Sequence, residues 1–149
     1  RLDRAGVSIV ETRLLNPSAE VAALSDLKEA ADVVLVDAPC SGTGTWRRNP
    51  ELRWRLTPER LSRLAALQAR LLDIAAELVR PGGHLVYAVC SVLAREGREQ
   101  AAAFGERRSA FVSEAPVMNG GRVSGSGRLL TPAHDGTDGF FVARWRAPC

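Results

Sequence analysis

The run from Asp32 to Cys40, DVVLVDAPC, constrains this chain more than any other stretch. Its Val and Leu residues are consecutive rather than alternating. A strand with one wet face alternates with a period of two, whereas an unbroken Val/Leu run marks a strand covered on both faces in a parallel sheet. A chain with such a strand must supply helices to cover it, which commits it to an α/β architecture. The run also stops abruptly. Asp37, Ala38, Pro39 and Cys40 lead into Ser-Gly-Thr-Gly, where proline lacks a backbone donor and glycine favours turns. A carboxylate and a thiol therefore stand where a buried strand reaches the surface.

The remaining segments are consistent with that commitment. GVSIVETRLL (6–15) reads as a short strand, and AEVAALSDLKEAA (19–31) has helical spacing with Leu24 and Leu27 on one side. Thr57 as N-cap and Pro58 at the first helical position open a helix whose stripe is Leu61, Leu64, Gln68, Leu71, Ala75 and Leu78. RPGG (80–83) reads as its glycine stop. HLVYAVCS (84–91) is the next strand, followed by a helix from about Ala94 to Phe104, and AFVSEAPV and GFFVARWR are closing strands. NGGRVSGSGR (119–128) is expected to be a flexible surface loop. The order predicts one domain over 1–149: an open, mostly parallel, doubly wound sheet whose last two strands form a C-terminal antiparallel hairpin.

In such sheets ligands lie outside the carboxyl ends of the strands. Cys40 follows one such end and Cys90 another, so two thiols are expected at one rim. Each alone could be a small core hydrophobe. Zinc fits poorly, because no CxxC is present, His84 begins a strand and His134 lies far along the chain; a redox pair lacks the same spacing. A cysteine hydrolase needs a histidine base, and His84 begins the strand that Cys90 ends, roughly 20 Å away at ~3.3 Å per residue. No run reaches the ~20 apolar residues of a membrane span and no leader pattern is visible. Three cysteines in such a chain predict reduced thiols in a cytoplasmic setting.

Between the thiols lies a basic segment. From Arg47 to Arg70 there are seven arginines against two glutamates, interleaved with Trp54 and preceded by Trp46. Arginine with exposed aromatics suits phosphate tracking and base stacking. Nineteen of the chain's twenty basic residues are arginine, a bias that GC-rich coding also produces. Arg47 and Arg48 directly follow the Gly42/Gly44 loop, which puts them beside the thiols and favours a nucleic acid partner.

DAPCSGTG, RNPELRW, LVRPGGHLVYAVCS and HDGTDGFFVARW, in this order, resemble the NOL1/NOP2/Sun (Fmu) family of RNA cytosine-5 methyltransferases, with bacterial Sun enzymes acting on 16S ribosomal RNA nearest in kind. The resemblance implies a truncated Rossmann-like class-I methyltransferase fold, S-adenosyl-L-methionine as cofactor, and rRNA as substrate with tRNA as the alternative. No membrane, metal or obligate protein partner is implied. Cys90 would be the nucleophile, Cys40 would assist release, and Asp37 would face both cofactor and cytosine. Asn16 would lie near the adenosine, and Pro39, Arg47 and Arg48 near the RNA. In DNA cytosine-5 methyltransferases the Pro-Cys cysteine attacks, so exchanged roles are the main competing assignment. The chain departs from the pattern at Val89, where the family usually has Thr, and at AREG (94–97), where it has PEEN. The family's Gly-rich cofactor loop and ribose-holding acid would precede Arg1. The resemblance therefore implies a partial catalytic domain, inactive by itself, with a non-catalytic RNA-binding module as the alternative.

Overall fold

The computed structural model describes Gly6, Ser8 and residues 11–149. Most of the strand expected over 6–15 lies outside the described residues, and 11–15 are not in a strand. The helical stretch after it is short. Helix α1 covers Glu20–Ala23, and a 3-10 turn over Ser25–Leu27 follows. Strand β1 is Ala31–Asp37, helix α2 Pro58–Ala76 and strand β2 Val79–Val89. Thr57 caps α2 as expected, its hydroxyl accepting the Arg60 amide at 3.2 Å. Strands β1 and β2 pair in parallel with Val34 opposite Leu85, Val36 opposite Tyr87 and Asp37 opposite Ala88.

RPGG does not stop the helix. Helix α2 ends at Ala76, and Arg80–Gly83 lies inside β2. Pro81 has no amide to donate and Gly82 adopts φ +71°, so β2 bulges there and its register with β1 slips between Ala31 and Val33. Past the bulge β2 alternates cleanly, burying Leu85, Tyr87 and Val89.

The remaining elements are α3 (Arg98–Arg107), β3 (Val112–Glu114), β4 (Arg122–Ser124), β5 (Gly127–Leu130), α4 (Pro132–Asp135) and β6 (Phe140–Arg146). The sheet order is β1-β2-β6-β5-β4, with β3 on β6 as well. The α/β class and Rossmann-like character stand, but the expected dominance of parallel pairing does not. Among the described strands β1/β2 is the one parallel pair; β2/β6, β3/β6, β5/β6 and β4/β5 are antiparallel. For β5/β6 the cause is connection length, since 131–139 is too short for the crossover of a dozen or more residues that parallel neighbours need. The closing pair AFVSEAPV and GFFVARWR does pair antiparallel, Val112 opposite Arg146. The expected loop over 119–128 is instead mostly the β4/β5 hairpin, turned at Gly125, φ +59°.

One face of the sheet is covered. Leu72, Ala75 and Ala76 of α2 and Phe104 of α3 pack on Leu85, Tyr87, Phe141, Ala143 and Trp145. Phe104 meets the Trp145 ring at 4.7 Å and Phe111 edge-on at 5.6 Å. The apolar run in β1 had implied two covered faces, and here the structure differs: Val33 is 58% and Leu35 64% exposed, while Val34 and Val36 pack on the core. The tight turns that position the site therefore hang from the covered half of the sheet.

Candidate functional site: two thiols at the carboxyl rim

Cys40 follows β1 and Cys90 follows β2, and parallel pairing brings both ends to one rim. The ladder runs one residue past β1, the Ala38 amide donating to Ala88 O at 3.0 Å. Beyond it the sulfurs meet. Cys40 Sγ lies 3.3 Å from Cys90 Sγ, within thiol hydrogen-bond distance, and both residues are partly buried.

The loops that carry them are locked together by backbone and side chain. The Gly44 amide donates to Cys90 O at 3.1 Å, and the Gly139 amide donates to Gly44 O at 2.8 Å. A Cβ on Gly44 would lie 1.9 Å from Gly139 O, so two bare backbones touch at this point. Beneath the thiols is a buried polar cluster. Glu96, fully buried, accepts from the Ser41 amide at 2.8 Å, the Ser41 hydroxyl at 2.5 Å, the Ser91 hydroxyl at 2.6 Å and the Gln68 amide at 3.1 Å. Gln68 also donates to Pro39 O at 2.9 Å, and the Tyr87 hydroxyl donates to Glu96 O at 2.7 Å.

This setting raises the Cys40 thiol from its ordinary 9.0 to about 12. Burial is the largest cause; a hydrogen bond from Gly42 works against it, and the neighbouring Cys90 thiol and the charge on Glu96 add to it. Tyr87 is pushed up by burial first and by Glu96 and Cys40 after it. At neutral pH Cys40 is a protonated thiol in contact with a second sulfur.

The expected binding residues divide into two groups. Asp37 and Pro39 stand at the same rim, both exposed, and the Asp37 carboxylate has no hydrogen bond or ion pair among the described residues. Arg47 and Arg48 lie beside the 3-10 turn Thr43–Thr45 and converge on Asp138, Arg48 Nε donating at 2.6 Å and Arg47 Nη2 at 3.4 Å. Asp138 is 9% exposed against 58% for Arg48, so a sunken carboxylate holds an outward-facing cation. Arg48 keeps the Asp138 carboxyl below the usual range. Asn16 is different. It sits in an exposed turn before α1, accepting the Ala19 amide, with no hydrogen bond to the thiol loops among the described residues.

The two tryptophans separate: Trp46 is partly buried, whereas Trp54 is 77% exposed with the Arg53 guanidinium 4.4 Å over its ring. Neither histidine serves a thiol. His84 engages Arg144 and Glu114, and His134 engages Arg122.

Sequence reasoning missed the Glu96 cluster and the anchoring by Asp138. AREG (94–97) had stood out only for what it lacks, although its one acid is Glu96. GFFVARWR does form a closing strand, Phe141 being buried, and Asp138 stands just before it.

Comparison with known proteins places this mixed α/β domain among the methyltransferases. Ribosomal RNA small subunit methyltransferase B of Thermus thermophilus is 47% identical over 123 residues, covering 79% of this chain and 30% of that protein. The protein of the same name from Xylella fastidiosa is 46% identical over 116 residues, covering 78% of this chain and 28% of its own length. A solved structure, NSun6 from Pyrococcus horikoshii with SFG, superposes with TM-score 0.78 at 28% identity, over 97% of this chain and 36% of that one. The model of the 16S rRNA methyltransferase RsmB/F family matches residues 2–146, and the chain belongs to that family. It spans less than a third of the curated relatives just described.

Proposed function

We propose that this chain carries the thiol-bearing part of an S-adenosyl-L-methionine-dependent enzyme that methylates carbon 5 of a cytosine in RNA, with 16S rRNA as the substrate. The observation that carries the reading is the 3.3 Å contact of Cys40 and Cys90 at the carboxyl rim. A hydrolase would need one thiol and a histidine; two thiols in contact fit a reaction that both makes and breaks a carbon–sulfur bond.

Cytosine is a weak nucleophile at carbon 5. The Cys90 sulfur, having given up its proton, adds to carbon 6 and makes carbon 5 enamine-like. S-adenosyl-L-methionine, when bound, would supply a methyl group on a positively charged sulfur, and carbon 5, activated by Cys90, would be the acceptor. The carbon-5 proton passes to water, its electron pair re-forms the 5,6 double bond, and the Cys90–carbon 6 bond breaks, freeing the methylated base and returning Cys90 as a thiolate. Cys40, protonated and in contact, stands ready to stabilise the departing sulfur. The unpaired Asp37 carboxylate fits a hydrogen-bond donor of the cytosine edge or of the cofactor, and Asn16 is the more distant candidate for the adenosine. The target base must leave its stack to present carbon 6, so a single-stranded or extruded nucleotide is bound. The Arg47 and Arg48 guanidiniums and the Trp54 face supply phosphate and stacking contacts around it. The names of the relatives support ribosomal RNA as the partner, and the neighbour with SFG, an analogue of S-adenosylmethionine, supports the cofactor.

The test is a pair of variants in the full-length protein. Cys90→Ala is expected to abolish methyl transfer, and Cys40→Ala to trap RNA as a covalent adduct that shifts on a denaturing gel. An adduct with Cys90→Ala and none with Cys40→Ala would reverse the roles, and methyl transfer surviving Cys90→Ala would overturn the reading.

A further inference from the structure

The Glu96 carboxylate accepts four hydrogen bonds at the site, yet the chemistry proposed above does not use it. It is fully buried, and no ion pair among the described residues includes it. A carboxylate held in the interior without a cation is costly unless every lone pair is met, and Glu96 meets its cost with four donors. What those donors are is the informative part. Ser41 is the residue after Cys40, and Ser91 is the residue after Cys90. Each thiol is thus one peptide bond from a serine that Glu96 holds, at 2.5 Å and 2.6 Å respectively. Gln68 extends the hold to the other side of Cys40, bonding both Glu96 Oε1 and Pro39 O. The Cys40 backbone is gripped at the residue before it and the residue after it, and the grip is shared with the Cys90 loop. Thr43 closes the cluster, its hydroxyl 3.0 Å from that of Ser91.

We propose that Glu96 is a positioning residue for the thiol pair: its carboxylate ties the turn after β1 to the turn after β2 and sets Cys40 against Cys90. The assignment of Cys90 as the attacking sulfur rests on the function proposed above; the tether itself does not. The groups facing Cys40 are Cys90 and Tyr87 from β2, Glu96 from the 92–97 turn, and Gln68, which is neutral, from α2; Arg48 lies on the Cys90 side. Burial raises the Cys40 thiol most, the Cys90 sulfur next, and the Glu96 carboxylate adds to them.

The test compares Glu96→Gln with Ser91→Ala in the full-length protein, neither experiment requiring RNA or cofactor. Iodoacetamide labelling, resolved by peptide, reads the ionisation of each thiol. Capture by a trivalent arsenical, which needs two thiols side by side, reads their spacing. Glu96→Gln keeps the volume and removes the charge, so Cys40 labelling at pH 9 is expected to rise about tenfold for each unit its pKa falls, and arsenical capture to weaken. Ser91→Ala cuts one arm and keeps the charge. Capture is expected to weaken while Cys40 labelling stays at the parent rate. The proposal is overturned if folded Glu96→Gln matches the parent in both assays, or if Ser91→Ala raises Cys40 labelling as much as Glu96→Gln, which would make packing rather than the carboxylate responsible. Should Glu96→Gln fail to fold, unchanged arsenical capture in Ser91→Ala alone overturns the tether. If Cys90→Ala retains methyl transfer, the proposed function fails while these thiol measurements stand.

Discussion

Adding a single methyl group at Gly44 tests whether the rim is held by backbone contact. A Cβ there would lie 1.9 Å from Gly139 O, 2.6 Å from Gly139 C and 2.8 Å from its Cα. All three are backbone atoms, so no side chain can swing aside, and the 42–46 loop or the 137–139 segment must retreat by more than an ångström. Retreat breaks the Gly139 N–H to Gly44 O bond and strains the Gly44 N–H to Cys90 O bond. Each is worth about 0.5–1.5 kcal/mol net, and overpacking of this kind adds about 1–3 kcal/mol. Gly44→Ala is therefore expected to lose about 2–6 kcal/mol by those two terms together. For a site reached through that loop the effect on chemistry should exceed the effect on stability, because Cys40, Arg47 and Arg48 all depend on it. The assay is urea unfolding of the full-length protein followed by far-UV circular dichroism, with formation of the covalent RNA adduct in the Cys40→Ala background as the functional readout. A loss below about 0.5 kcal/mol, the range of a neutral surface change, with adduct formation at the parent rate, would refute the claim that this backbone contact positions the rim.

Three further outcomes are expected. Stability should decline with alkali from near pH 9 towards 12, because folding raises the Cys40 thiol from 9.0 to about 12; the folded state then binds more protons than the unfolded one, and the contribution is complete below pH 9 and lost above it. Cys40→Ser should flatten the part of that decline that is not due to Tyr87, also raised by burial, as read from melting temperatures across the range. Arg48→Ala should weaken RNA binding and lower the slope of log affinity against log salt by about one, as for the loss of a single phosphate contact; an unchanged slope measured by fluorescence anisotropy would take Arg48 off the RNA path. Thr57→Ala should cost about 1 kcal/mol in urea unfolding through loss of the α2 cap, with no effect on thiol labelling.

How far the sequence discloses this site follows from how each interaction is encoded. The meeting of Cys40 and Cys90 is legible because it needs only local rules: two strands, both parallel, each ending in a cysteine, must bring those residues to one rim. The α2 cap and the alternation of Phe141, Ala143 and Trp145 along β6 are legible for the same reason. Glu96 is not, since its partners come from the turn after β1, from α2 and from the end of β2, and no spacing in the sequence joins Ser41, Gln68 and Ser91 to it. Asp138 is hidden likewise, 90 residues from Arg48. The β4/β5 hairpin was obscured by composition, because glycine and serine mark a tight turn and a loose loop alike, and only pairing with β6 separates them. The Val/Leu run of β1 misled in the opposite direction. It reports that both faces of the strand favour burial, and Val33 and Leu35 remain exposed among the described residues because that preference is met on one face only. A pattern of residue types states what a strand can tolerate on each side; a carboxylate shared by two thiol-bearing turns has to be seen in three dimensions.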